Sequence, residues 1–265
     1  MIVAVDTGGT KTLVAVFDAK AGTIIRSDQF PTPKDTTAYI SQVTQSIKTL
    51  AEGETPQAIS VAVPGPVRDG IVIFCVNLGW SNFAIQGELK KEFPYSHLFI
   101  NNDANLGGVG EARRRDPVPH KCLYITLGTG IGSGFIANGA VIPELADSEA
   151  GHMLLDTNTT WEQQAGGIRL LEEFGPIGEI HDPATLEEIG RRVARGLLVL
   201  LPTFRPDIVI IGGGIGAHYQ RFSHIVEAEI QKISPFDCLV IQATNPKEAV
   251  VYGCYFVATD ALAHL

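Results

Sequence analysis

The stretch Val3-Ala4-Val5-Asp6-Thr7-Gly8-Gly9-Thr10-Lys11 is a short apolar run that ends in an aspartate, a threonine and two glycines. An apolar run followed by glycines predicts a buried strand that enters a tight turn. Glycines let backbone N–H groups approach a phosphate, while Thr10 and Lys11 offer a hydroxyl and a positive charge. Asp6, at the end of the strand, is the kind of ligand that holds Mg²⁺ directly or through water. The spacing of a Walker A loop is absent, and an ordinary hairpin turn explains the same residues equally well.

A second glycine-rich turn, Thr126-Leu127-Gly128-Thr129-Gly130-Ile131-Gly132-Ser133-Gly134, ends another apolar run that starts at Leu123. So many glycines beside a strand indicate that something approaches the backbone closely, either a phosphate or the other arm of a tight hairpin. Each of the two turns is followed by a second strand, a further turn and a third strand. We interpret this recurrence as an internal duplication.

Predicted strands alternate with predicted helices along the chain, which indicates an α/β architecture. Apolar residues recur at helical spacing in residues 37–52 and are dense in residues 186–201, where a helix is also predicted. The duplication predicts two α/β lobes with a cleft between them, formed by residues 1–112 and 113–246. A final helix at about 247–265 is expected to pack back on the first lobe.

The composition excludes several classes of protein. The 265 residues are 45% hydrophobic and 18% charged, with a formal net charge of -9. This composition argues against disorder, and it lacks the basic footprint that nucleic-acid binding requires. No apolar run approaches the length of a membrane span, and the N-terminus lacks the pattern of a signal peptide. The four cysteines show no CxxC spacing, so we expect reduced thiols in a cytoplasmic protein without nucleic-acid or membrane partners.

The segment Asn101-Asn102-Asp103-Ala104-Asn105 ends a third apolar strand and places a carboxylate among amides. Asp103 could accept a proton from a substrate hydroxyl, and the neighbouring asparagines could bind other hydroxyls. The alternative is an Asx-rich turn that caps the next helix, to which Asn105 would contribute.

Two later segments carry further polar groups or glycines. Glu149-Ala150-Gly151-His152, together with Glu162, supplies two carboxylates and an imidazole, which suit a polyol because each can hydrogen-bond to hydroxyls. The apolar run 208–211 enters Gly212-Gly213-Gly214, which leaves room for a flat ring or a ribose over the backbone. The GxGxxG fingerprint of a dinucleotide fold is absent. A structural histidine, a solvated glutamate and a plain strand-to-helix turn are the ordinary alternatives.

Taken in order along the chain, these motifs resemble those of the ROK sugar kinases, which belong to the hexokinase–actin superfamily. The order is the DxGGTK turn, Pro64-Gly65-Pro66, Asn77-Leu78-Gly79-Trp80, the NDAN segment, the TLGTGIGSG turn, the ExGH segment and the IGGG segment. The resemblance covers nearly the whole chain. It implies a two-lobed actin-like (ribonuclease H-like) ATPase fold with duplicated βββαβαβα lobes, and a homodimer.

The resemblance also implies a role for individual residues. Asp103 matches the catalytic base, and Asp6 matches the acid associated with Mg²⁺. The implied sugar contacts are Asn77, Asn102, Glu149, His152 and Glu162. The implied donor-binding positions are Gly8, Gly9, Thr10 and Lys11 in the first loop, Gly128, Thr129 and Gly130 in the second, and Gly212, Gly213 and Gly214 under the adenosine.

One departure from the family pattern concerns zinc. Family members follow the ExGH segment with a CxCGxxGC segment that binds structural zinc together with the histidine. Here residues 153–162 contain no cysteine. We therefore predict that structural zinc is absent and that protein groups hold His152 instead. Compact, zinc-free members of the superfamily include glucokinases and polyphosphate glucokinases.

The resemblance therefore predicts a kinase that uses ATP and Mg²⁺ to phosphorylate a hexose hydroxyl, with glucose 6-phosphate as the expected product. Polyphosphate as the donor is one alternative, and Arg113-Arg114-Arg115 is the candidate basic track for it, although a solvated charge run explains these residues too. Another hexose or an N-acetylhexosamine as acceptor is a second alternative. A non-catalytic sugar-binding protein is a third.

Overall fold

The computed structural model describes residues 1–236 and 238–264. The chain forms two compact units. Unit 1 comprises Met1–Gly110 and the chain from Glu248 onward, and unit 2 comprises Glu111–Lys247. The last residue of the predicted terminal helix, Leu265, lies outside the described residues.

The strands and helices follow one another in the alternating order that the sequence predicts. In chain order the strands are β1 Ile2–Thr7, β2 Lys11–Phe17, β3 Ile24–Pro31, β4 Ala58–Val63, β5 Val67–Arg68, β6 Ile71–Cys75, β7 Trp80–Phe83, β8 His97–Asn102, β9 Lys121–Leu127, β10 Ile131–Ala137, β11 Ala140–Val141, β12 Ile208–Gly212 and β13 Leu239–Gln242. The α-helices are α1 Thr36–Ala51, α2 Ile85–Glu92, α3 Asp103–Arg113, α4 Trp161–Ala165, α5 Gly167–Phe174, α6 Pro183–Phe204, α7 Gly213–Gly216, α8 Ser223–Ile233 and α9 Ala249–Leu262.

Local signals in the sequence set the ends of the long helices. Asp35 caps α1 by accepting a hydrogen bond from the backbone N–H of Ala38, and Asp182 caps α6 in the same way, with Pro183 in the first turn. Both helices end at a residue in the left-handed conformation. In the part of the chain that the structure describes, none of the helices combines the length and apolar character that a membrane span requires.

Unit 1 is built on a five-stranded sheet in the order β3-β2-β1-β4-β8. The first three strands form an antiparallel meander, whereas β1, β4 and β8 are parallel. All six residues of β4 are buried, which explains its almost wholly apolar sequence. A separate three-stranded sheet, β5-β6-β7, is inserted between β4 and α2. Sequence patterns did not predict this small sheet.

Unit 2 repeats the architecture of unit 1. Its sheet has the order β11-β10-β9-β12-β13, again with three antiparallel strands followed by parallel neighbours of the central strand. Trp161 on α4 is fully buried in the core that this sheet forms with α6 and α8. The predicted duplication of an α/β lobe is therefore confirmed at the level of strand order.

Helix α9 packs on the sheet of unit 1 and approaches α3 at backbone contact distance. Val251, Cys254 and Ala258 of α9 share a buried cluster with Ile2 and Ala4 of β1. A Cβ on Gly253 would overlap the carbonyl oxygen of Leu106, so only glycine fits at this crossing.

We expect Gly253→Ala to lower the free energy of unfolding by roughly 2–3 kcal/mol, because the new methyl group would push α9 away from α3. The matched control is Gly87→Ala in α2, where a Cβ would meet no atom within 4 Å. That control should be neutral or stabilise the protein by up to about 1 kcal/mol. Denaturant unfolding of both variants checks the pair, and equal stabilities would contradict the close helix crossing.

Candidate active site

Two glycine hairpins lie at the same position in the two units. The first hairpin, residues 8–11, joins β1 to β2, and the second hairpin, residues 128–130, joins β9 to β10. A turn can bind phosphate through its backbone only where its N–H groups have no other acceptor. The hydrogen bonds of each hairpin therefore decide what it can bind.

In the first hairpin, the carbonyls of Gly8, Thr10 and Lys11 have partners, whereas two N–H groups have none among the described residues. Gly8 N–H donates to the carbonyl of Lys11 at 2.9 Å. Thr32, just beyond β3, donates its backbone N–H to the carbonyl of Thr10 (3.0 Å) and its hydroxyl to the carbonyl of Gly8 (2.8 Å). Within residues 1–236 and 238–264, the N–H groups of Gly9 and Thr10 have no acceptor. These two adjacent donors are available to an anion.

The second hairpin also combines paired carbonyl groups with two N–H groups that have no acceptor among the described residues, but other residues pair its carbonyls. Its first N–H, on Gly128, donates to the carbonyl of Gly130 at 3.0 Å. The first two residues of α5, Gly167 and Ile168, donate to the carbonyls of Gly128 (2.9 Å) and Thr129 (3.1 Å). Among the described residues, the N–H groups of Thr129 and Gly130 have no acceptor.

Asp6 is the last but one residue of β1 and precedes the first hairpin. Burial raises the pKa of its carboxyl to about 6, because the surrounding apolar core disfavours the charged form. Its side chain is not completely enclosed, since the residue keeps intermediate exposure to solvent. No residue in the described part of the chain donates a hydrogen bond to this carboxylate.

Asp103 begins α3 at the carboxyl end of β8, and its side chain is partly exposed. One carboxylate oxygen accepts a hydrogen bond from the backbone N–H of Ala104 at 2.8 Å. The residue that caps α3 is Asn102, whose Oδ1 accepts from the N–H of Asn105 at 3.1 Å. The predicted helix cap is therefore present, but the side chain that makes it belongs to Asn102 and not to Asn105. Asn105 is instead buried.

The small sheet of unit 1 brings further predicted residues together. Asn77, exposed in the turn between β6 and β7, lies against the first hairpin, because a Cβ on Gly9 would contact Asn77 Cβ at 3.5 Å. Burial raises the pKa of the Cys75 thiol, and the charge of Asp103 raises it further. Asn102 also reaches this region, since its Nδ2 donates to the carbonyl of Gly65 at 3.2 Å.

The polar residues of unit 2 surround the start of β10. Glu162 Oε2 accepts a 2.7 Å hydrogen bond from the backbone N–H of Ile131. Burial raises the pKa of the Glu149 carboxyl, the charge of His152 opposes this shift, and the charge of Glu162 adds to it. His152 and Glu162 thus each lie close enough to Glu149 to influence its carboxyl electrostatically.

The structure corrects the expectation that protein groups hold the imidazole of His152. The residue is exposed, and in the described part of the chain no group forms a hydrogen bond with its ring. The loop that follows is held by Asp156 instead, which accepts bonds from the hydroxyl of Thr159 (2.7 Å) and from Gln164 Nε2 (2.9 Å). The Thr159 hydroxyl and the N–H of Asn158 lower the pKa of Asp156, so this carboxylate is charged at neutral pH.

The third glycine segment lies beside the second hairpin within unit 2. Gly212 packs on the hydroxyl of Tyr124, where a Cβ would overlap it, and Gly213 adopts a positive φ of 81° next to the end of β9. A Cβ on Gly214 would meet no atom within 4 Å. The predicted turn is in fact the start of the short helix α7, and its surface at Gly214 is open.

Sequence reasoning missed the residues that hold the two hairpins. Thr32 is one residue beyond β3, and no local pattern marks it. The pair Gly166-Gly167 was a usable signal, because adjacent glycines between two helices often mark a close backbone approach. A Cβ on Gly167 would overlap the carbonyl oxygen of Gly128.

Comparisons with known proteins place these features in a family. The sequence profile of the ROK family matches residues 2–167. The fructokinase of Lactococcus lactis subsp. cremoris is 26% identical over 236 residues, covering 80% of this chain and 78% of its own. The polyphosphate glucokinase of Mycobacterium tuberculosis (strain CDC 1551 / Oshkosh) is 25% identical over 229 residues, covering 84% and 81%.

Among solved structures, the chain is similar to a ROK family glucokinase from Streptomyces griseus in complex with glucose and AMPPNP. The TM-score is 0.83 at 22% identity, over 98% of this chain and 99% of the other. At this identity the likeness concerns the fold, and it confirms the predicted actin-like α/β class with duplicated lobes. Since the family profile matches more than half of the chain, this protein belongs to the ROK family.

Proposed function

We propose that the protein is a sugar kinase that transfers the terminal phosphoryl group of ATP to a hexose hydroxyl, with glucose as the expected acceptor. The observation that carries the proposal is the pair of glycine hairpins, each with two adjacent N–H groups that have no acceptor in the described residues. Such groups bind phosphate oxygens. The names of the similar proteins, which are fructokinases and glucokinases, support a hexose kinase. The glucokinase complex with AMPPNP supports ATP as the donor, whereas one relative is named a polyphosphate glucokinase.

In this proposal Asp103 is the general base. It accepts the proton of the sugar hydroxyl while the hydroxyl oxygen forms a bond to the γ-phosphorus of ATP. The bond from that phosphorus to the bridging oxygen breaks, and ADP leaves with the electron pair. Asn77, Asn102, Glu149, His152 and Glu162 would bind the remaining sugar hydroxyls. Asn102 keeps one N–H and one lone pair for this purpose, because its other groups hold Gly65 and Asn105.

We expect Asp103→Asn to reduce kcat by at least about a hundredfold while sugar affinity changes little, since the amide cannot accept the proton. The matched control is Asp35→Asn, an exposed aspartate that caps another helix of unit 1. A coupled assay for sugar phosphate, together with calorimetry for sugar binding, measures both. Near-normal turnover in Asp103→Asn would exclude this residue as the base.

The site is compatible with Mg²⁺ at Asp6. Within the described residues no group of three or more His, Cys, Asp or Glu side chains could hold a metal. Mg²⁺ does not need such a group, because it is commonly held by one or two carboxylates, waters and substrate phosphates. The carboxylate of Asp6, which no described residue donates to, fits this mode. When bound, Mg²⁺ would neutralise charge on the phosphate oxygens.

The Asp6 carboxylate, which is partly buried and has no donor among the described residues, destabilises the fold when it is charged. The folded-state pKa of Asp6, about 6, lies above the ordinary value of 3.8, so its cost to stability appears as the pH rises from 4 through 6 and persists above. Asp6→Asn should therefore increase the free energy of unfolding at pH 8 by roughly 1–3 kcal/mol. This gain should appear as a higher Tm. At pH 4.5 most of this gain should be absent.

Asp18→Asn is the control of opposite sign. Backbone N–H groups of Ala21 and Lys20 lower the pKa of Asp18, so removal of its charge should lower Tm slightly at pH 8 or leave it unchanged. Thermal unfolding of both variants, without ligands, at pH 4.5 and pH 8 separates the two cases. An Asp6→Asn variant no more stable than the wild type at pH 8 would contradict the desolvation of this carboxyl.

The candidate basic track for polyphosphate has a structural role in unit 2. Arg115 forms a salt bridge with Glu111 at 3.2 Å, and Glu111 is only 2% exposed. The same carboxylate accepts hydrogen bonds from the N–H groups of Thr244 and Asn245. The stem of Arg113 packs on Gly139. Because Arg115 compensates the buried charge of Glu111, it is poorly placed to bind polyphosphate. ATP is therefore the donor that we propose.

The donor and the acceptor are tested together by a panel of glucose, fructose, mannose and N-acetylglucosamine, each with ATP and with polyphosphate. We expect phosphorylated glucose with ATP and no product with polyphosphate above a control without enzyme. Polyphosphate-driven turnover comparable to that with ATP would overturn the choice of donor. Absence of product from every combination would overturn the proposed activity.

A further inference from the structure

Glu162 contacts the second hairpin more closely than a residue that binds only sugar would need to. Its Oε2 accepts a 2.7 Å hydrogen bond from Ile131 N–H, the first backbone donor after the hairpin. A Cβ on Gly130 would overlap the same carboxylate oxygen, so the carboxylate rests directly on the hairpin backbone. Hydrogen bonds to a charged acceptor are stronger than those between neutral groups.

The helix that carries Glu162 is itself fixed. Trp161 is fully buried, and its indole N–H donates to the carbonyl of Arg192 on α6 at 3.1 Å. Thr160 and Gln163 form a reciprocal capping box at the start of α4. These contacts leave little freedom for the backbone of Glu162, so its carboxylate acts as a fixed support.

The segment formed by α4 and α5 meets the second hairpin region at three points in succession. The carboxylate of Glu162 holds Ile131 N–H, and the N–H groups of Gly167 and Ile168 hold the two hairpin carbonyls described above. Without the carboxylate, Ile131 N–H would lose its partner, and one of the three supports would be missing.

We infer that Glu162 is a positioning residue for the phosphate-binding hairpin, in addition to its role at the sugar. The inference rests on the proposed function in taking the second hairpin as a donor site and Glu162 as a sugar ligand. Since Oε2 is occupied by Ile131 N–H, the sugar is left with Oε1. The Glu162 carboxylate therefore binds the sugar through Oε1 and supports the ATP-binding hairpin through Oε2.

The chemistry of two substitutions separates the two roles. In Glu162→Gln, the amide oxygen can still accept from Ile131 N–H, while the group that faces the sugar becomes an N–H donor. In Glu162→Ala, neither interaction is possible. The first variant should impair sugar binding alone, and the second should impair both sugar and nucleotide binding.

The binding experiment measures the affinity for a non-hydrolysable ATP analogue with Mg²⁺, in the absence of sugar, by calorimetry. We expect Glu162→Gln to bind within about twofold of the wild type and Glu162→Ala to bind about tenfold more weakly, as for the loss of one charge-assisted hydrogen bond. Glu172→Ala on α5, an exposed glutamate, is the control and should bind as the wild type does. Wild-type affinity in Glu162→Ala would overturn the inference.

Hydrogen exchange of the Ile131 amide, followed by NMR, tests the hydrogen bond without any ligand. The amide should be protected in the wild type and in Glu162→Gln, and should exchange faster in Glu162→Ala. If the wild type binds no nucleotide, the proposed function fails, yet the exchange data still report on the support of the hairpin. Equal protection of Ile131 in all three proteins would contradict the positioning role.

A second variant covers the case in which Glu162→Ala does not fold. Gly130→Ala leaves Glu162 in the chain but places a methyl group where its carboxylate oxygen lies. This variant should also speed exchange of the Ile131 amide and weaken binding of the analogue. Retention of both properties at wild-type level would overturn the inference.

Discussion

The candidate phosphate-binding hairpins, one in each unit, depend on the hydrogen bonds that occupy most of their carbonyl oxygens. A peptide turn presents carbonyl oxygens as well as N–H groups, and an anion is repelled by the former. In unit 1 a single threonine, Thr32, holds two carbonyls through its backbone and its hydroxyl. In unit 2 the start of α5 holds two carbonyls through Gly167 and Ile168. The duplicated fold thus leaves two adjacent N–H donors in each unit, although the supporting residues differ.

Glycines in and beside the second hairpin allow close packing of the protein itself, besides any approach of a ligand. Gly130 makes room for the carboxylate of Glu162, and Gly167 makes room for the carbonyl of Gly128. Asp6, in contrast, weakens the fold. Burial next to the first hairpin raises the pKa of its carboxyl, and the charged carboxyl destabilises the folded state. Groups that weaken a fold without a structural gain are typical of functional sites.

The fold could be predicted largely from local patterns, and the contacts that complete the site could not. Apolar runs that end in glycines, as at Val5 and Leu127, are local signals, and the strand orders of both units agree with them. The small sheet β5-β6-β7 carries Asn77 but has short, mixed strands that no periodicity reveals. The bond between Ile131 and Glu162 joins residues 31 positions apart, which a pattern of neighbours cannot detect. Asn102, and not Asn105, caps α3, because the helix begins at Asp103 and Asn105 therefore lies inside it. The roles assigned to the site residues stay predictions.

The most direct test of this account is the response of four backbone amides to the donor. In an NMR titration of the isotope-labelled protein with a non-hydrolysable ATP analogue and Mg²⁺, the amides of Gly9, Thr10, Thr129 and Gly130 should show the largest chemical-shift changes. They are the hairpin N–H groups that find no acceptor in the described residues. Saturable binding of the analogue that leaves these four resonances unmoved would contradict the account.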